Sequence, residues 1–207
     1  MAVRRRGLMD KKYLALFDLD GTLFETGEVN YHAYQDALAP YGITLDKEYF
    51  LKRCNGRHYT EFLPAIMGAA ADIEKVHQFK KTAYAANLEK ARMNKHLFAL
   101  VQCMRDKYHT AIVTTASRQN TMEILQHFGC DPLFEYFVTQ EDVTKTKPNP
   151  QGFLLAMQHF CMLSSNTVIF EDSAVGIQAA RASGGICDSG GPVLGELYLI
   201  PSLPFLR

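Results

Sequence analysis

Short hydrophobic runs alternate with amphipathic stretches over much of the chain. Four runs that end in polar residues predict strands, at Tyr13–Phe17, 110–113, Tyr136–Val138 and Thr167–Phe170. Such runs are typical of parallel strands, because both faces of these strands are buried. The stretches between them predict helices at 95–107, 118–127, 150–160 and 174–182. This alternation favours an α/β fold with a doubly wound parallel sheet.

The pattern differs between residues 27 and 94, where no convincing strand is found. Helices are expected at 28–39, 46–53 and 59–67, and Asp72 is a suitable cap for a fourth. The apolar face of that fourth helix is predicted from residues spaced by three or four, namely Ile73, Val76, Phe79, Ala83 and Ala86. We therefore expect a helical cap domain at 26–93, inserted into an α/β core domain at 1–25 and 94–207.

The end of the chain gives a weaker pattern. No clear apolar strand follows Gly185, and the Gly- and Pro-rich stretch from Ser189 to Arg207 allows no assignment. At the other end, Arg4, Arg5 and Arg6 form a basic start without the apolar segment of a signal peptide. We interpret them as a solvated tail.

The composition disfavours nucleic-acid-binding, disulfide-rich and membrane-spanning proteins. The chain has 207 residues, with 22 Lys plus Arg and 22 Asp plus Glu, so its formal net charge is zero and a general nucleic-acid binder is disfavoured. The five cysteines form no CxxC pair, which favours free thiols in a reducing compartment. No apolar run is long enough to span a membrane. A cytoplasmic monomer or weak dimer is expected.

Two carboxylates stand immediately after the first predicted strand. Asp18 and Asp20 are separated by one residue and followed by Gly21 and Thr22. Ligands of parallel sheets bind beyond the carboxyl ends of the strands, so this pair should lie at the mouth of a site. Close carboxylates repel each other, and a hard cation such as Mg2+ relieves the repulsion. The alternative is an Asp-rich surface turn.

Later strand ends supply more polar groups. Thr114 and Thr115 follow one strand, Glu171 and Asp172 follow another, and Lys147 lies in the loop before a helix. These groups can converge with the opening pair, because the strands of a parallel sheet point the same way. Carboxylates, hydroxyls and a lysine are the groups that metal-assisted phosphoryl transfer needs.

Four stretches in order, FDLDGTLFET, AIVTTAS, KPNP and VIFEDSAVGIQAA, resemble the motifs of the haloacid-dehalogenase-like hydrolase superfamily. The similarity runs from about Tyr13 to Gly184 and is greatest to the branch, within subfamily I, that has a helical cap. That branch contains beta-phosphoglucomutase and many sugar-phosphate and phosphoglycolate phosphatases. The resemblance implies a Rossmann-like core with the cap inserted after the first motif.

The resemblance also implies roles for individual residues. Asp18 would be the nucleophile that becomes an aspartyl phosphate, and Asp20 the general acid and base. Thr114 would bind the phosphate, and Lys147 would bridge the phosphate and Asp18. Thr115 and Ser117 are alternatives to Thr114.

A Mg2+ site is implied as well. The Asp18 carboxylate, the Asp20 backbone carbonyl and Asp172 would hold the ion, and Glu171 would act through water. A purely structural role for Glu171 is the alternative, and Lys145 is the alternative to Lys147.

Two cap residues are candidates for binding substrate. Arg57, in the stretch Asn55-Gly56-Arg57, resembles part of the cap loop that reaches into the site, and its guanidinium is suited to clamp an anion. Asn30 stands where beta-phosphoglucomutase has a histidine, with His32 a partial turn away. Glu25 also departs from the family pattern, which commonly has Asp there.

The function that follows from these residues is a Mg2+-dependent phosphatase of a small phosphorylated metabolite. A phosphomutase is the enzymatic alternative, because it would form the same aspartyl phosphate. A binding module that keeps the fold without turnover is the non-enzymatic alternative. A dehalogenase is disfavoured, because that chemistry needs no metal and does not use Asp20 as an acid.

Overall fold

The computed structural model describes residues 11–68 and 71–188 and contains a five-stranded parallel sheet. The strand order is β5-β4-β1-β6-β7. Its strands are β1 (Tyr13–Phe17), β4 (Tyr108–Val113), β5 (Tyr136–Val138), β6 (Thr167–Phe170) and β7 (Ile186–Asp188). The predicted first strand is thus the central strand of the sheet.

The register aligns the carboxyl ends of the three central strands. Phe17, the last residue of β1, pairs with Ile112 of β4 and with Phe170 of β6. Residues just beyond these positions therefore share one edge of the sheet. The expectation that polar residues at separate strand ends meet at one edge is correct for β1, β4 and β6.

Helices cover both faces of the sheet. They are α5 (Lys95–Met104), α6 (Arg118–His127), α7 (Gln151–His159) and α8 (Ala174–Ala182). Along β1, Ala15 and Phe17 belong to one core cluster, whereas Leu14 and Leu16 belong to the other. The α/β fold with a doubly wound parallel sheet is therefore confirmed.

The helical segment consists of α1 (Gly27–Leu38), α2 (Lys47–Arg53), α3 (Tyr59–Met67) and α4 (Ile73–Tyr84). It has a cluster of its own in which Tyr34, Phe50 and Phe62 pack together. Where the segment leaves and re-enters the core, β2 (Phe24–Glu25) pairs antiparallel with β3 (Arg92–Met93). The separate cluster supports the division into core and cap, which stays a prediction.

Several sequence-based expectations were wrong in detail. The strand β7 is present although the sequence has no clear apolar run there. Three of its residues pair with β6, and this pairing defines the strand. The strand β3 was missed because it has only two residues. Helix α5 ends at Met104 rather than at residue 107.

The predicted apolar face of α4 is rotated in the structure. Phe79 is 48% exposed, whereas Val76, His77, Lys80 and Tyr84 are buried. Two polar residues thus occupy the inner face, so hydrophobic spacing alone could not orient the helix.

Two regions discussed above lie outside the described residues, the basic start at Arg4–Arg6 and the stretch from Ser189 to Arg207. Within the described part of the chain, every helix is too short or too polar to cross a membrane.

Candidate active site

The residues predicted at the strand ends lie together in the structure. Asp18 directly follows β1, Thr114 follows β4, and Glu171 follows β6. Lys147 reaches the same edge from the loop before α7. Asp18 is buried, which disfavours the alternative of an Asp-rich surface turn.

Lys147 connects two carboxylates that come from different strands. Its Nζ atom lies 2.5 Å from Asp18 Oδ1 and 2.6 Å from Glu171 Oε2, and it donates to the Val113 carbonyl at 3.0 Å. The Lys147 side chain is only 8% exposed. Burial alone would lower the pKa of Lys147, but the two carboxylates raise it above its ordinary value. The lysine is therefore a permanent cation at this position. Lys145, the alternative, is exposed.

Asp18, Glu171 and Asp172 form an acidic cluster in which one carboxylate oxygen of each lies within 4.8 Å of the others. Burial and the nearby Glu171 raise the pKa of Asp18, against the opposite effect of Lys147. The cluster carries more negative charge than one lysine can balance. This donor set is suitable for a hard divalent cation.

Gly21 makes room for Asp172. Its φ of 92° is in the region that favours glycine, and a Cβ atom there would lie 2.3 Å from Asp172 Oδ2. The Thr22 hydroxyl then donates to Asp172 Oδ1 at 2.8 Å. The short motif after β1 thus shapes the loop and holds the carboxylate that arrives from β6.

Glu171 is engaged by the protein on both oxygens. Oε1 accepts from the backbone N–H of Ser173 at 3.1 Å and from its hydroxyl at 2.8 Å, while Oε2 faces Lys147. A Cβ atom at Gly176 would lie 1.9 Å from the Glu171 carboxyl carbon. These contacts favour the structural alternative for Glu171, which holds Lys147 and the start of α8.

Asp20 lies apart from the acidic cluster. Its Oδ1 atom accepts hydrogen bonds from the Thr26 hydroxyl and from Asn30 Nδ2, the latter at 3.3 Å. Thr26 and Asn30 stand before and within α1, so the helical segment orients this carboxylate. Thr26 was not singled out from the sequence. His32 lies 3.7 Å from Glu28 instead of contacting Asp20.

The two threonines after β4 line different spaces. Thr114 is buried, accepts from the Ala116 N–H at 3.0 Å, and borders a small cavity shared with Lys147. Thr115 borders that cavity too, and also a larger one that contains Asp20. Ser117 caps α6 by accepting from the Asn120 N–H. Both threonines remain candidates for phosphate binding.

The larger cavity lies between the helical segment and the sheet edge, and its space of about 540 Å³ includes open solvent. Asp20, Asn30 and Arg57 all line it. The Arg57 guanidinium is more than half exposed and lies 2.9 Å from Glu61. Arg57 is thus placed to reach a ligand, but its charge already has a partner on α3.

Two buried residues of α4 were missed by the sequence analysis. Lys80 lines the larger cavity, where its Nζ lies 3.4 Å from Asn120 Oδ1 and 4.6 Å from the centre of the Tyr84 ring. Burial lowers the pKa of Lys80 to about 8, although Asp20 acts in the opposite direction. His77 lines the same cavity. Lys80 lies one helical turn after Val76, but hydrophobic spacing gave no reason to place two polar side chains on the inner face.

Known proteins match most of this chain in sequence. Residues 15–186 match the family model described as haloacid dehalogenase-like hydrolase. The chain is 27% identical over 177 residues to a phosphorylated carbohydrates phosphatase of Thermotoga maritima, covering 82% of this chain and 80% of that protein. It is 29% identical over 180 residues to the fructose-1-phosphate phosphatase YqaB of Escherichia coli. That match covers 85% of this chain and 95% of YqaB.

Solved structures show the same fold. CbbY of Rhodobacter sphaeroides, crystallised with phosphate, superposes with a TM-score of 0.77 at 24% identity and with 84% of each chain covered. The family model spans most of the 207 residues, and it includes all four motifs quoted above. The chain belongs to the haloacid dehalogenase-like hydrolase family, as the order of its motifs predicted.

Proposed function

We propose that this protein is a Mg2+-dependent phosphatase that hydrolyses a small phosphorylated carbohydrate through an aspartyl phosphate on Asp18. The observation that carries the proposal is the buried contact of Asp18 with Lys147, inside an acidic cluster at the sheet edge. The relatives support it, because both curated proteins described above are named as phosphatases of phosphorylated sugars.

The residues present fit a divalent cation. Three carboxylates and one ammonium group lie together, so two negative charges are unbalanced when all are ionised. Gly21 leaves space that a side chain would fill beside Asp172. Asp18, Asp172 and the backbone carbonyl of Asp20 would hold Mg2+, and Glu171 would keep Lys147 in place beside them. When bound, the ion supplies positive charge that neutralises the phosphate.

Asp18 then attacks the phosphorus atom of the ester. The P–O bond to the alcohol breaks while the new bond to Asp18 Oδ forms, and the leaving oxygen takes a proton from the Asp20 carboxyl. Lys147 and the hydroxyl of Thr114 or Thr115 donate to the phosphate oxygens. The products of this step are the free alcohol and an aspartyl phosphate.

Hydrolysis of the aspartyl phosphate reverses the role of Asp20. As a carboxylate, it takes a proton from water while the water oxygen attacks phosphorus, which releases phosphate and restores Asp18. Thr26 and Asn30 hold the Asp20 side chain for both steps. The helical segment would exclude bulk water above the site.

The test is phosphate release from p-nitrophenyl phosphate and from a panel of phosphorylated metabolites, with Mg2+ and with a chelator. We expect release only with the metal, and its loss in the Asp172→Asn variant. The exposed Asp106→Asn variant is the matched control and should keep full activity. Metal-independent turnover would contradict the proposal, and no release from any ester would favour the binding module.

A further inference from the structure

His77 is buried beside the larger cavity without a hydrogen-bond partner. It is 7% exposed, and neither ring nitrogen is paired within the described part of the chain. Tyr108 is the other described residue with such an atom, and it does not line this cavity. A buried polar atom left unpaired loses its hydrogen bonds to water without replacement, so native structures seldom retain one without a reason.

The His77 ring is held in one orientation. It stacks on the Tyr59 ring with centroids 3.8 Å apart and planes 9° from parallel. Tyr59 is fixed in turn, because its hydroxyl donates to Glu74 Oε1 at 2.5 Å. A rigid imidazole with two free nitrogens is thereby placed at the wall of the cavity that contains Asp20 and Lys80.

The imidazole is uncharged near neutral pH. Burial and the nearby Lys80 and Lys81 lower the pKa of His77 to about 4, while Glu141 acts against them. A neutral imidazole offers one donor and one acceptor, which matches an alcohol better than an anion. Asp20, Asn30 and Lys80 line the same cavity, so it offers further polar groups to a small molecule.

We propose that His77 binds hydroxyl groups of the alcohol part of the phosphate ester and so selects polyhydroxylated substrates. Both nitrogens are covered in the present arrangement, so the substrate enters while the helical segment is moved away from the sheet edge and keeps its contact with His77 when the segment returns. The inference rests on the proposed phosphatase function, because it assigns the leaving group to this cavity. His77 would be a specificity residue and would take no part in proton transfer.

The variants are chosen to separate hydrogen bonding from packing. His77→Phe keeps a ring against Tyr59 and removes both polar atoms, whereas His77→Gln keeps a donor and an acceptor. His159→Phe is the matched control, because His159 stacks on Tyr136 at 3.7 Å and lies outside the cavity. His77→Leu replaces the Phe variant if circular dichroism finds that variant unfolded.

The assay compares fructose 1-phosphate with methyl phosphate, which has no hydroxyl group on its alcohol part. We expect His77→Phe to raise KM for fructose 1-phosphate about 3- to 10-fold with kcat nearly unchanged, because one neutral hydrogen bond contributes equally before and during reaction. Methyl phosphate should be unaffected, and His77→Gln should recover most of the loss. Equal losses on both esters, or no loss on either, would overturn the proposal.

A second measurement separates this proposal from the proposed function. If the wild-type protein releases phosphate from no ester of the panel, the phosphatase proposal fails, and calorimetry then measures binding of fructose 1-phosphate and methyl phosphate. If His77→Phe binds fructose 1-phosphate more weakly than the wild type but binds methyl phosphate equally well, the role of His77 is supported. Unchanged binding of both esters would refute it.

Discussion

The Nζ atom of Lys147 lies 2.5 Å from Oδ1 of Asp18, although the two residues are 129 positions apart in the sequence. Both side chains are buried, and the same lysine also contacts Glu171. One buried cation therefore joins β1, β6 and the loop before α7. Residues proposed for catalysis are, in this protein, also part of what holds the sheet edge together.

The first prediction concerns the stability that Lys147 provides. Lys147→Met would leave two buried carboxylates facing each other, and breaking such a buried pair costs about 3–5 kcal/mol. Urea unfolding measures the loss. Lys52→Met is the matched control, because Lys52 forms an exposed pair with Glu48 at 2.6 Å and should change the free energy of unfolding by about 1 kcal/mol or less. Similar losses in both variants would contradict the importance of burial.

The second prediction concerns the nucleophile. Asp18→Asn should abolish phosphate release from p-nitrophenyl phosphate with Mg2+, because an amide is a poor nucleophile and a weaker metal ligand. The shape of the side chain is kept and Lys147 still has Glu171, so circular dichroism should detect a folded protein. Asp106→Asn serves again as the control. Near-native turnover by Asp18→Asn would show that another group attacks phosphorus.

The third prediction concerns the proton carrier. Asp20→Asn should lower the rate on an alkyl phosphate by about 10²–10⁴-fold, the usual contribution of a general acid or base. Metal binding should remain, because the proposed ligand is the backbone carbonyl of Asp20. Calorimetry with Mg2+ and turnover of methyl phosphate measure the two effects. An alkyl ester is needed, because a good leaving group departs without a proton; full activity on it would exclude the role.

The fourth prediction concerns acid stability. The pKa of His77 is lowered from 6.5 to about 4 in the fold, chiefly by burial and by Lys80, so between these values the unfolded chain binds more protons. The folded state therefore loses stability as the pH falls through this window. His77→Phe should lose less stability than the wild type between pH 7 and about 4, as urea unfolding at several pH values can test.

Neighbouring charged residues also shift the pKa of His77, and they determine how this test is controlled. Lys81 and His58 also lower its pKa, and Glu141 raises it, so these residues must stay intact in the variants. His159→Phe, at an exposed site, is the comparison. Equal pH slopes for the wild type and His77→Phe would contradict a neutral buried imidazole.

The fifth prediction decides between phosphatase and mutase. A mutase must protect its aspartyl phosphate from water while a sugar bisphosphate reorients, and that requires cap groups that grip a second phosphate. Asn30, which donates a hydrogen bond to Asp20, cannot act as an acid or base near neutral pH. Arg57 is already paired with Glu61. We expect net phosphate release from hexose phosphates and negligible conversion of β-glucose 1-phosphate to glucose 6-phosphate. Isomerisation without release would reverse this assignment.

Much of the fold could be read from the sequence because its signals are local. A run such as Tyr13–Phe17 is apolar enough to be buried on both faces, and Ser117 and Ser173 cap the helices that follow them. Strand ends in a parallel sheet share an edge, so Asp18 and Glu171 could be placed near each other without coordinates. Local signals also explain the errors, since β7 has a weak pattern of its own and depends on its pairing with β6.

Only the tertiary structure decided which side chains face inward and with whom they pair. Helix α4 turns His77 and Lys80 toward the cavity and leaves Phe79 exposed, because the helix packs against α1 and α3 on one side and α6 on another. The contact of Lys147 with Glu171 likewise required the loop before α7 to reach the sheet edge where β4 and β6 end. Hydrophobic spacing indicates only the average polarity of one face of a helix. The orientation of a buried polar group depends on long-range partners, and no local pattern contains them.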